Sequence, residues 1–234
     1  MAKAPSTKAL FRATKPRGDK GPRLFEDLPR QAVPDLRDEL DFDPTPADAT
    51  NSFLLREAEF IRAHGPAVAE DCVGAGHIAA VLKTWGFRVV AGDVVDRGYP
   101  GLFCLGDFME QPSRRAAAAV TNPPYNLVNA RDGGGRWLRH MIELGYDYIA
   151  LLLNADWSAA RVNGFDALFH ENPPSIEYLC CWKIDFRGLG APPQRNSWMV
   201  WDRNRPALGP GTWIKSRLYR DDTPPGQIDM GFDL

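Results

Sequence analysis

At 234 residues, 44% hydrophobic and 25% charged, the chain is long enough to bury a substantial core and has the balance of an ordinary globular domain. A formal net charge of −2 argues against nucleic-acid binding by bulk charge, though a local basic face remains compatible with it. No apolar run approaches the roughly 18 residues of a membrane span, and no signal-peptide pattern opens the chain. Cys72, Cys104, Cys180 and Cys181 form no Cys-x-x-Cys, and His64, His77, His140 and His170 are scattered, so neither a disulfide framework nor a metal centre is expected. Reduced core thiols and a cytoplasmic location are the expectation.

Residues 1–41 form the first segment. Lys3, Lys8, Arg12, Lys15, Arg17, Lys20 and Arg23 sit among Pro, Gly, Ser and Thr, and from Glu26 to Asp41 the balance turns acidic around Pro29 and Pro34. This reads as a basic arm and linker, poorly ordered, either a solvated terminus or a tail that meets phosphates. Asp43-Pro44-Thr45-Pro46 then leads into a predicted helix over 47–64, stopped by Gly65-Pro66. Residues 67–73 read as the first strand, Gly74-Ala75-Gly76 as a turn, and 77–85 as a helix. Strand, glycine turn and helix present a helix N-terminus to a ligand. The missing G-x-G-x-x-G speaks against a dinucleotide. A second strand over 87–91 precedes Asp93, an acid about 20 residues on that is placed for ribose hydroxyls, with Asp96 as a second candidate. A third strand, 102–105, ends in Gly106-Asp107-Phe108, where Asp107 by itself reads as a cap for the residues from Met109.

The apolar run 116–120 reads as a buried strand, and Thr121-Asn122-Pro123-Pro124-Tyr125 follows it. Both prolines have fixed φ and no N–H, and Pro124 keeps Pro123 out of the helical region. A backbone carbonyl and the Asn122 side-chain oxygen can therefore face one spot beside the Tyr125 ring. Two acceptors and a flat apolar face suit a planar, amine-bearing ring. A Pro-rich turn at a strand end is the plain alternative. The triple glycine at 133–135 reads as a lid, with Arg131 and Arg136 able to meet phosphates, or as a flexible connection to a helix over 137–144. A strand over 146–153 follows, then loop and helix to His170. Asn172-Pro173-Pro174-Ser175 repeats the earlier wording but follows a helix and lacks the aromatic, so it reads as a loop. Two late strands, 176–184 and 197–201, are expected to pair antiparallel. Residues 206–234 form a Pro/Gly-rich extension in which Trp213 and Ile214 can dock back, and which frays from Thr223. The unit in between is 42–205.

In order and spacing, five pieces resemble the amino-methyltransferases that use S-adenosylmethionine, and within them the phage and prophage DNA N6-adenine methyltransferases. The pieces are Asp43 to Pro46, Glu70 to His77, Asp93 to Tyr99, Gly106 to Phe108, and Asn122 to Tyr125. The resemblance implies an α/β fold: a seven-stranded, Rossmann-like methyltransferase sheet, mostly parallel with an antiparallel C-terminal strand pair. It implies S-adenosylmethionine as cofactor, held by Thr45, Pro46, Glu70, Gly74, Gly76, Asp93, Asp107 and Phe108. Thr45 and Pro46 would cover the methionine end, Glu70 pair with its cationic group, Asp107 accept from the adenine amine and Phe108 line that ring. The catalytic set would be Asn122, Pro123, Pro124 and Tyr125, the substrate DNA adenine, and no metal is required. The family often has an aromatic before the acid and a small residue or proline after it; here Ala69 and Asp71 stand there. The same corner serves RNA bases and protein glutamine amides, and a methyltransferase-like fold also persists as a silent binding module. No separate target-recognition domain is visible, so specificity would rest on loops, the basic arm or a partner.

Overall fold

The computed structural model describes residues 43–220 apart from 132, 191 and 193. The chain divides into two units, Met1–Leu36 and Arg37–Leu234, and every described residue belongs to the second. The expected basic arm and the chain end from Thr223 lie outside the described residues.

Helix α1 (Ala47–Arg62) starts where Pro46, with extended ψ, ends the 43–46 turn, and it stops before Gly65 at φ +110°. Its apolar positions Ala49, Phe53, Ala58 and Ile61 recur at helical spacing and are buried. Strand β1 (Ala67–Glu70), α2 (His77–Thr84) and β2 (Arg88–Asp93) make a parallel βαβ unit. Then come β3 (Leu102–Leu105), a 3₁₀ turn (Phe108–Glu110), β4 (Ala118–Thr121) and the single-turn α3 (Tyr125–Val128). Helices α4 (Arg136–Glu143) and α5 (Phe165–Glu171) flank β5 (Tyr148–Asn154). The chain ends in β6 (Ile176–Cys180), β7 (Asn196–Asp202) and β8 (Ile214–Leu218).

The strands form one sheet in the order β3-β2-β1-β4-β5-β7-β6-β8. All neighbours are parallel except β7, which runs against β5 and β6. The expected mostly parallel sheet with a late antiparallel pairing is observed. The count is eight rather than seven, because residues beyond Trp213 add β8 alongside β6.

Alternation along β5 sorts the core into two layers. Tyr148, Ala150 and Leu152 face α1 and α2, where Phe53 stacks on Trp198 with ring centroids 4.5 Å apart. Ile149, Leu151 and Leu153 face Phe108, α4 and α5. Burial on both faces explains why β5 reads as a continuous apolar run. The decoy Asn172-Pro173 stretch leaves α5 and feeds β6, with the Asn172 carbonyl accepting from Trp201 Nε1 at 2.9 Å.

Candidate active site

Parallel pairing aligns the carboxyl ends of β1, β2, β3 and β4 on one rim, where open α/β sheets bind ligands. Glu70, Asp93 and Thr121 are the last residues of their strands, and Asp107 follows β3 by two.

The three loops leaving β1, β2 and β3 are tied together around Asp93. Its Oδ2 accepts from Gly74 N at 2.7 Å and its Oδ1 from Val95 N at 3.0 Å, while its carbonyl accepts from Gly106 N at 2.8 Å. Asp96 instead closes its own turn onto Gly98 N and is exposed. Of the two candidates, Asp93 is thus the one built into the rim. Gly76 caps α2 at φ +89°, and a Cβ there would lie 2.2 Å from the Tyr99 ring, so only glycine lets the loop pass this closely.

Glu70 is 1% exposed, and its Oε2 has no hydrogen-bond partner among the described residues. Burial, reinforced by the nearby negative Asp71, pushes its pKa well above the usual carboxylate range, while a bond from the Ala79 backbone opposes this. A buried carboxylate with an unspent oxygen is suited to a cationic ligand group. Asp71, the departure from the expected pattern, turns elsewhere. It accepts from Arg115 Nη1 at 2.6 Å and from the Tyr146 hydroxyl at 2.9 Å. Burial raises Asp71, and the Arg115 guanidinium opposes that rise. The guanidinium crosses β2 at Gly92, where a Cβ would lie 1.7 Å from Nη1. The acid after Glu70 is therefore neutralised through the sheet and leaves the glycine loop free of it.

Asp107 Oδ1 accepts from Met109 N at 2.9 Å, so this residue caps the 3₁₀ turn, and its side chain is otherwise exposed. Phe108 is 2% exposed; its ring packs 4.3 Å from Trp137 and edge-on to His140 at 5.0 Å. It forms the floor of this corner from within the core.

At the end of β4, Asn122 is fixed from two sides. Its Nδ2 donates to Thr45 Oγ1 at 3.1 Å, and its carbonyl accepts from Cys72 Sγ at 3.0 Å. Cys72 also meets Thr121 Oγ1 at 2.8 Å, and burial raises its pKa well above normal, which keeps the thiol a donor. With the amide nitrogen spent on Thr45, the Asn122 Oδ1 is left buried and without a partner among the described residues. Pro123 is buried, Pro124 caps α3 in extended conformation, and Tyr125 opens α3 half-buried. The Tyr125 hydroxyl accepts from Asn196 Nδ2 at 3.0 Å.

The structure thus brings Thr45 to Asn122, and Gly74 to Asp93 and Gly106. Sequence reading overlooked Cys72, which sat inside the quoted glycine motif, and Asn196, which lies one residue before the strand predicted at 197. The signal for Asn196 was the antiparallel pairing, since the first residue of such a strand lands on the ligand-binding rim. The triple-glycine segment is stapled in place. Gly133 N donates to Asn129 Oδ1, Asn163 Nδ2 donates to the carbonyls of Ala130 and Arg131, and Arg136 Nε folds back on Gly133 O at 3.2 Å. Among the described residues no His, Cys, Asp and Glu cluster is arranged to hold a metal, and no helix is long and apolar enough to cross a membrane.

No family model matches the chain, and no curated protein matches it in sequence. Solved structures do match in fold. A candidate RNA methyltransferase from Pyrococcus horikoshii superposes with a TM-score of 0.54 at 17% identity, over 69% of this chain and 87% of that one. A candidate class I S-adenosylmethionine-dependent methyltransferase from Listeria monocytogenes gives 0.53 at 12% identity, over 74% and 65%. The M protein of the type I restriction enzyme EcoKI gives 0.50 at 10% identity, over 74% and 48%. The match spans less than two thirds of the latter two chains. At these identities the likeness establishes the methyltransferase fold.

Proposed function

We propose that the protein methylates the exocyclic N6 amine of adenine in DNA, using S-adenosylmethionine, and belongs with the phage-type adenine methyltransferases. The reading is carried by one observation. Asn122 Oδ1 is held at the end of β4, buried and unspent, with its amide turned by Thr45 so that the oxygen is the atom left over. A buried acceptor costs about 1–3 kcal/mol when unmade, so a site that keeps one is suited to a ligand that donates to it. Fold neighbours that include a DNA adenine methyltransferase and methyltransferases using this cofactor support the choice.

The residues present fit the cofactor. Glu70, with its free oxygen, would pair with the amino group of the methionine end. The Gly74 and Gly76 backbone would let the ligand approach, and Thr45 and Pro46 would cover it. Asp93 has lone pairs beyond its two backbone bonds for ribose hydroxyls. The second oxygen of Asp107 would accept from the adenine amine, above the Phe108 floor. When bound, S-adenosylmethionine supplies an electrophilic methyl on a sulfonium.

The chain's own contribution is positional. The target base, flipped or single-stranded, lays its face on the Tyr125 ring. Asn122 Oδ1 accepts one amine N–H and the Pro123 carbonyl the other. An aromatic amine is a poor nucleophile because its lone pair is conjugated. Drawing its hydrogens toward two fixed acceptors turns that lone pair out of the ring plane, and this orientation lowers the barrier. Neutral Asn122 is no base, so the proton leaves to water. The protein's thiols are free, in keeping with work in the cytoplasm.

The test is nucleoside mass spectrometry after incubating unmethylated DNA and matched RNA with the protein and S-adenosylmethionine. N6-methyldeoxyadenosine from the wild type is the expected result, with a loss of roughly 10²–10³-fold in Asn122→Ala while calorimetric cofactor affinity is kept. Methylated RNA alone would overturn the DNA assignment. No methylated base in either sample would overturn the nucleic-acid assignment. A protein amide is then the substrate if the cofactor binds, and a binding module is the reading if it does not.

A further inference from the structure

Asn196 opens β7 and is completely buried. Because β7 runs against β5, its first residue pairs with the last residue of β5, Asn154, at the rim that also carries Asn122. One end of its amide is spent, since Nδ2 donates to the Tyr125 hydroxyl at 3.0 Å. The other is not: Oδ1 is buried with no partner among the described residues. The polar groups elsewhere on β7 are paired. Ser197 Oγ donates to Glu177 at 3.0 Å, and the Asp202 carboxylate accepts from Arg205 Nε at 2.7 Å. The unspent oxygen of Asn196 is thus not a habit of the strand. Asn122 Oδ1, three residues before Tyr125, is the other amide oxygen without a partner among the described residues.

The hydroxyl bond acts on the far end of the Tyr125 side chain, opposite its Cα. The hydroxyl lies on the axis about which the ring turns, so the bond pins where that axis runs and stops the ring from swinging away. An aliphatic amide gains little from a ring held in place, whereas a base gains a face to stack on.

Resting on the reading of Asn122 to Tyr125 as the transfer site, we propose that Asn196 is a positioning and specificity residue. Its amide nitrogen holds the Tyr125 ring as a fixed platform, and its oxygen accepts from an N–H of the substrate, so that the site selects a planar, amine-bearing ring.

The experiment compares wild type, Asn196→Ala, Tyr125→Phe and the double variant. Each is assayed for kcat and KM on DNA, for cofactor affinity by calorimetry, and for the fluorescence of 2-aminopurine placed at the target position. Wild-type methylation is read first; if it is absent, the underlying reading has failed before any variant is considered. Given that activity, Asn196→Ala lowers kcat about tenfold, with cofactor affinity unchanged and 2-aminopurine brighter because it stacks less. Tyr125→Phe loses less, since the Asn196 oxygen remains for the substrate. The double variant loses no more than Asn196→Ala, because both substitutions remove the same bond. Unchanged kcat and fluorescence in Asn196→Ala would overturn the proposal, as would losses that simply multiply in the double variant. Should Asn196→Ala fail to fold, Tyr125→Phe decides alone: it removes one oxygen, and wild-type kcat and fluorescence in it would sink the platform role.

Discussion

At the amino end of the parallel strands, Glu57 of α1 is fully buried yet fully engaged. Its carboxylate accepts from the Tyr148 hydroxyl at 2.8 Å, the Tyr178 hydroxyl at 2.6 Å and both Arg205 terminal nitrogens. Asp202 beside it takes Arg205 Nε, Asn204 N and His64 Nε2. At the carboxyl end, Glu70, Asn122 and Asn196 each keep a buried oxygen with no partner among the described residues. The same sheet therefore carries both a closed polar network and an open one. Other buried atoms also lack a partner among the described residues, Asp48 Oδ1 and Arg115 Nη2 included, but the rim gathers three acceptors at the ends of β1, β4 and β7. On the proposed reading, the contrast separates a polar network closed by the chain itself from acceptors that a ligand would complete.

The largest effect expected from this contrast is on stability. Glu57→Ala strips the closed end of its carboxylate and leaves Arg205 and two buried hydroxyls without it. A loss of about 3–5 kcal/mol in urea unfolding is expected. A loss under about 1 kcal/mol would show that the closed network holds nothing together. The substitution should leave the rate per folded molecule intact.

Glu70→Gln sharpens the comparison because its two effects have opposite signs. Cofactor affinity should fall about tenfold or more, while the melting temperature rises. Between the ordinary carboxylate pKa and the raised folded value, the folded chain keeps a proton that the unfolded chain has released, so stability falls as pH rises. Glutamine has no such proton, and the variant should lose that pH slope. A cationic ligand favours the ionised form, so wild-type cofactor binding should strengthen with pH and the variant's should not. Calorimetry and thermal melts across pH would check this. A variant melting lower than wild type at neutral pH would contradict the account of an open acceptor that costs stability.

Thr45→Val separates two roles for one hydroxyl. Losing the bond that turns the Asn122 amide should reduce kcat about tenfold with cofactor affinity little changed. Valine keeps the bulk that would cover the cofactor, so a loss of affinity at constant kcat would mean that the hydroxyl serves the cofactor and not Asn122. The smallest effect belongs to Asn172→Ala in the repeated Asn-Pro-Pro wording. Its side chain lies away from the rim, on the loop feeding β6, so methylation should stay within about twofold of wild type. A collapse there would mean the wrong corner has been assigned.

Much of this frame was legible in residue order. Apolar runs and helical spacings placed β1 to β5 and helices α2 and α4 within a few residues, while the single turn α3 was not foreseen. Glycine and proline punctuation marked the turns at Gly65, Gly74 to Gly76 and Asn122 to Pro124. Asp93 ends β2 and is tied into the rim, whereas Asp96 turns onto Gly98. Other features were not legible. Arg115 reaches Asp71 across 44 residues and Gly92 makes way for it, a pairing that no local pattern announces. Strand β8 hides in a Pro/Gly-rich stretch because an edge strand needs only one neighbour and one buried position, here Leu218.

The sequence by itself determined the layered α/β order and the residue types at the strand ends, because periodicity and turn chemistry act over a few residues. Only the tertiary structure decided which of those polar atoms are spent. Whether Asn122 faces out with an oxygen or a nitrogen depends on Thr45, 77 residues away, and whether Tyr125 is held depends on Asn196, 71 residues away. Hydrogen bonds act within about 3 Å, so these choices exist only once the strands have been brought side by side.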